Sequence, residues 1–160
     1  MDAAIAAPRV ADEVEALYRA DADRLWRALV AYAGDRDVAS EAVAEAYAQA
    51  IRRGEAIRDL QAWIWRSAFR IARGALAGRR SHVDVAERGE GHEDRYADPD
   101  LAAALRQLPE AQRAAVVLFY YADLPVREIA ARLGSNSLAV RANLSRGRRR
   151  LQALLEETHG

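Results

Sequence analysis

Residues 81–100, SHVDVAERGEGHEDRYADPD, interrupt a chain whose apolar residues otherwise recur at helical spacing. The stretch has lost that period and holds acids, glycines and a proline, so no amphipathic stripe runs through it. It cuts 160 residues into two short pieces, and neither is long enough to bury a large core alone. Few folds remain open: a small bundle of elements on each side, with the interruption as a linker. Proline and glycine are scarce, while alanine, leucine and arginine dominate, which favours helix over sheet. We expect an all-α protein of two small helical domains, residues 10–80 and 101–157, joined by a flexible acidic linker over 81–100.

The stripes give the helices. Val14, Leu17, Tyr18, Leu25, Leu29 and Tyr32 share one face from about Asp12 to Gly34. Asp35 or Asp37 can cap a second helix with Val38, Val43, Ala46, Tyr47, Ala50 and Ile51 inward, ending near Arg53 and Gly54. A third runs from about Asp59 to Leu76, with Leu60, Trp63, Ile64, Ala68, Ile71 and Ala75 inward and a collection of arginines on its other faces. Past the linker, LAAALRQLP gives a short helix, and Pro109 suits the first turn of the next, which carries Val116, Val117, Phe119 and Tyr120. Pro125 opens VREIAARL, Gly134 breaks it, and Asn136 or Ser137 can cap a basic final helix through about Leu155. A helix, a short turn containing glycine and a basic helix make a helix-turn-helix pattern.

The formal net charge of zero conceals alternating blocks. Residues 1–50 carry −5, 51–80 carry +6, 81–105 carry −5 and 106–160 carry +4. Two basic blocks separated by an acidic one suit two contact surfaces for a polyanion, set against the plainer reading of solvated helix faces. In the final helix, Val140, Leu144 and Leu151 anchor to the core. Ser137, Ala139, Arg141 and Asn143 then stand near its start, where side chains reach base edges, and Arg146, Arg148, Arg149 and Arg150 lie further along, toward phosphates.

Other chemistry finds little footing. No cysteine occurs, which excludes disulfides, thiolate zinc sites and a cysteine nucleophile. No glycine-flanked serine elbow and no phosphate-binding glycine loop is present. His82, Asp84, His92, Glu93 and Asp94 form the one ligand-like cluster, in the linker and without metalloprotease spacing, so it reads as solvated charge. We expect no catalytic residue, no metal and no cofactor. The acidic N-terminus lacks the form of a signal peptide and no stretch nears the roughly 20 apolar residues of a membrane span, so a cytoplasmic protein without membrane insertion is expected.

LPEAQRAAVVLFYYADLPVREIAARLG followed by SNSLAVRANLSRGRRRLQALL resembles region 4 of the bacterial extracytoplasmic-function sigma factors, a branch of the sigma-70 family. LYRADADRLWRALVAYAGDRDVASEAVAEAYAQA and LQAWIWRSAFRIARGALAGRR resemble its region 2. The resemblance implies a transcription initiation factor, not an enzyme, whose partners are core RNA polymerase and promoter DNA; an anti-sigma factor is left open. By position, Glu41 and Glu45 match acidic positions that meet the polymerase clamp. Trp63 matches a tryptophan expected in the core, and Trp65 could either pack or stack on unpaired bases. Arg66, Arg70, Arg73, Arg79 and Arg80 are expected on the backbone of the opened strand. The family usually carries glutamine at Ala44, asparagine at Arg70 and an aspartate near Gly74, and Ser135, Ala139 and Asn143 also depart from its pattern, so promoter sequence does not transfer. Two alternatives stand beside this reading: a stand-alone helix-turn-helix regulator, and a sigma-like interaction protein that does not open DNA. The linker, kept extended by its charge, could span roughly 60 Å between two promoter-bound units.

Overall fold

The computed structural model describes residues 3–82 and 98–159 and, among them, seven α-helices and no strand. In order these are α1 (Ala3–Ala33), α2 (Arg36–Arg53), α3 (Leu60–His82), α4 (Pro99–Gln107), α5 (Glu110–Tyr120), α6 (Val126–Leu133) and α7 (Ser137–His159), with a single 3₁₀ turn at Gly54–Ala56. Most of the linker, residues 83–97, lies outside the described residues, while its two ends belong to α3 and α4. α1 begins well before Asp12, because the alanines that precede it favour helix without adding to the stripe.

Local chemistry sets the boundaries. Asp35 caps α2 by accepting from the Val38 amide at 3.0 Å, and Asp59 does the same for Ala62 in α3 at 3.1 Å. Asp98 caps α4, with Pro99 in its first turn. Gly134 closes α6 in the left-handed conformation, φ 66°, where a β-carbon would be strained. Asn136 opens α7 by accepting from the Ala139 amide at 2.9 Å.

α1, α2 and α3 pack on one another around Leu25, Leu29, Tyr32, Val38, Tyr47, Ile64, Trp65 and Phe69. α7 lies across α4, α5 and α6, its Val140 and Leu144 buried. Where α7 crosses α5 it carries Gly147, and a β-carbon there would meet Val116 Cγ2 at 2.8 Å. This close approach of two helices admits no side chain.

The two halves do not stand apart. α3 packs on α6, α1 on α4 and α5, and one hydrophobic cluster runs through both. Two buried arginines cross the seam. Arg113, 4% exposed, donates to the Tyr32 carbonyl at 3.1 Å and to that of Leu108 at 3.3 Å. Arg132, 5% exposed, lies over the Trp65 ring at 4.6 Å. Arg66 donates to the Ala131 carbonyl at 3.0 Å and Arg73 pairs with Glu110.

Several expected core positions are corrected. Tyr18, Ile51 and Tyr120 have the right spacing but are more than half exposed, because each sits at the margin of its stripe, beyond the neighbouring helix. Tyr18 instead sets its ring edge-on to Tyr47 at 5.1 Å.

Candidate nucleic-acid interface

Because Val140, Leu144 and Gly147 face the protein, helical geometry fixes the opposite line of α7 as Leu138, Ala142, Ser145 and Arg149, spaced i, i+4, i+7, i+11. Leu138, Ser145 and Arg149 are exposed and Ala142 half-buried. Arg141 is exposed beside that line, and Arg146 and Arg150 are exposed on its other side. Arg149 donates to Ser145 Oγ at 3.4 Å. The structure therefore places Arg149 on the bare line, with Arg141 exposed on one flank of it and Arg146 and Arg150 on the other. Ser137, Ala139 and Asn143, expected at base edges, are half-buried on its flanks. Arg148, on the same flank as Arg141, sets its guanidinium over the rings of Phe119 and Tyr120 at 5.2 and 5.6 Å.

Leu138 is the residue that the sequence reading passed over. It is 78% exposed, more than any other large apolar side chain described. The anchor positions of α7 carried the signal, since they define what lies opposite them.

In the first half, of the two tryptophans it is Trp65, left open between packing and stacking, that lies in the core, while Trp63 packs only against its edge. Trp65 is wholly buried, its indole N–H donating to Asp21 Oδ2 at 2.6 Å, so it presents no face for an unpaired base. Asp21 is itself buried and also accepts from Gln61 at 3.0 Å. Trp63, expected in the core, is half-buried at the margin with Arg53 5.9 Å from its ring centre. The cause is the seam: α3 buries one flank against α1 and α2 and a second against α6, so its inward arc is wider than one three-helix bundle requires.

Arg66, Arg70 and Arg73 are all exposed, though Arg66 and Arg73 also hold the second half. The side chains of Arg79 and Arg80 lie outside the described residues, as do Asp84, His92, Glu93 and Asp94 and the side chain of His82. Glu41 and Glu45 are exposed on α2. Hydrogen bonds from Gln49 and Arg52 hold the Glu45 carboxyl below its ordinary range, so it is a fixed anion.

Burial, reinforced by nearby Glu110, pushes the Tyr32 hydroxyl up to about 12. Burial also lowers the pKa of Arg132, against the pull of Asp21. Both groups are structural. Among the described residues no cluster of His, Asp or Glu could hold a metal, and no helix is long and apolar enough to cross a membrane.

Residues 100–151, which include α6, the turn and the greater part of α7, match the family described as Sigma-70, region 4. The chain is 27% identical over 129 residues to the RNA polymerase sigma factor SigV of Bacillus subtilis (strain 168), covering 76% of this chain and 78% of that protein. Two solved structures share its fold. CnrH, in complex with the cytosolic domain of CnrY, superposes with a TM-score of 0.72 at 22% identity, over 97% of this chain and 95% of CnrH. The sigma factor RpoE of Bartonella quintana, in complex with the anti-sigma factor NepR, gives 0.70 at 21%, over 90% and 97%.

Proposed function

We propose that the chain is an extracytoplasmic-function sigma factor of the sigma-70 family, which binds core RNA polymerase, directs it to specific promoters and assists strand opening. The observation that carries this reading is α7. It is capped at Asn136, seated through Val140, Leu144 and Gly147, and bare along the opposite line. A helix held in that way enters the major groove by its N-terminal end. Arg141, one turn in, is then the base-reading cation, while Arg146, Arg149 and Arg150 follow the phosphates.

The α3 arginines, Arg66, Arg70 and Arg73 with Arg79 and Arg80, hold the backbone of the opened strand. Arg66 and Arg73 are engaged with α6 and α5 in the closed arrangement, so this task requires the halves to part. Glu41 and Glu45 meet a basic surface of polymerase, where exposed acids aid approach and fit. Both structural neighbours were solved with a partner protein, one of them an anti-sigma factor, which supports a partner of that kind here as well. The chain acts by binding alone, in the cytoplasm, and makes no covalent bond.

Run-off transcription with core polymerase and promoter fragments tests the proposal. Product that depends on this chain is the expected result. Tight operator binding without polymerase would favour a stand-alone regulator, and polymerase binding without product an interaction protein.

The division of labour along α7 has its own test. Arg149→Ala should weaken polymerase-dependent binding to all promoter variants alike and reduce the salt slope by about one. Arg141→Ala should relax selectivity at one base of the minus-thirty-five element, at a cost of roughly 1–3 kcal/mol on the preferred sequence. Titrations over single-base variants at several salt concentrations separate the two.

A further inference from the structure

We propose that Leu138 is a specificity-determining residue that reads the 5-methyl group of a thymine in the minus-thirty-five element. This rests on the reading of α7 as the helix that enters the groove.

Leu138 contributes almost nothing to the fold. At 78% exposed in the first turn of α7, it faces away from Val140 and Leu144, the residues that seat the helix. A large apolar side chain held in water on a helix that must be soluble gains only from what covers it. Its neighbours indicate which class of molecule that is. Along the same face stand Ser145 and Arg149, with Arg141 one turn away, so the surroundings are cationic and polar. The other exposed large apolar residues, Tyr18, Ile51 and Tyr120, lie on α1, α2 and α5, and none of them stands with Leu138 on α7.

The base edges of the major groove offer one apolar group, the thymine methyl. Ala139 and Ala142, one and four residues on, are small enough to let the helix backbone come close to the bases. With Arg141 at i+3 on the same side, the pair can sort neighbouring base pairs by two chemistries, a bidentate hydrogen bond and a methyl contact. Sequence selectivity thus comes from an apolar side chain as well as from arginine.

The test removes the methyl and nothing else. Full-length chain with core polymerase is titrated against a promoter duplex in which each minus-thirty-five thymine is replaced, one at a time, by deoxyuridine. With the wild-type chain, one replacement should weaken binding roughly fourfold, the worth of one buried methyl. Leu138→Ala keeps the helix, since alanine is the stronger helix former, and should bind thymine and uracil equally at that position. Leu138→Ile should retain the discrimination.

Wild-type indifference to uracil at every thymine overturns the proposal, as does discrimination that survives in Leu138→Ala or an element with no thymine. In each of those cases promoter-dependent binding persists and only the role of Leu138 is lost. Absence of minus-thirty-five-dependent binding altogether overturns the reading of α7 itself.

Discussion

Trp65→Ala should destabilise the protein by about 3–5 kcal/mol, the range for emptying a buried aromatic site. Trp65 is 0% exposed and does three things at once. It stacks near Phe69, with ring centres 6.4 Å apart; it gives its indole proton to the buried Asp21 carboxylate; and it supports the Arg132 guanidinium from the other half. Alanine removes all three and leaves a buried carboxylate with one donor fewer. Denaturant midpoints measured by circular dichroism should therefore fall much further than for Trp63→Ala, whose ring is half in water. Equal losses at the two positions would show that the seam and the Asp21 contact contribute nothing.

The second large effect belongs to a glycine. Gly147→Leu should cost about 3 kcal/mol, the upper part of the usual range for overpacking, because even the first carbon of the new side chain would sit 2.8 Å from Val116 Cγ2 and 3.4 Å from the Gln112 carbonyl. Two helices would have to separate, tilting α7 on α5 and moving the DNA-facing line with it. Both the thermal midpoint and promoter binding should fall. Gly74 provides the contrast: it lies within α3, exposed, and an added β-carbon would meet nothing within 4 Å. There Gly74→Ala should stabilise by up to about 1 kcal/mol, since helix propensity is the only change. If Gly147→Leu melts like the wild type, the α5–α7 crossing is looser than described.

Features decided within a few residues could be read directly from the chain. The caps at Asp35 and Asn136, the break at Gly134 and the three helices on the first side of the linker depend on side chains next to the backbone they satisfy. The anchors Val140 and Leu144 followed from spacing alone. What escaped was contact between segments distant in sequence. Arg113 and Arg132 look like surface charge, and nothing local reveals that the Tyr32 carbonyl and the Trp65 ring await them. The same seam moved Trp65 inside and left Trp63 at the margin, because a stripe shows which side of a helix is apolar and not how many neighbours it has. In α7, attention to the arginines hid Leu138, although the anchors already determined that it points outward.

A cut anywhere in residues 83–97 would leave two incomplete surfaces. On one fragment the indole face of Trp65 and the Tyr32 carbonyl would meet water; on the other, Arg113 and Arg132 would lose the ring and the acceptor that accommodate their charge. Once parted, both fragments would also expose the apolar surface that the shared core covers, so neither keeps the stability it has within the whole chain. The same condition applies to any event that draws the halves apart without cutting. A molecule that does so at least cost would present, at the places vacated, a flat apolar or cationic surface for Trp65, an oxygen acceptor for Arg113 and an aromatic face for Arg132, and the shape of this seam would thereby be a partial negative of its partner.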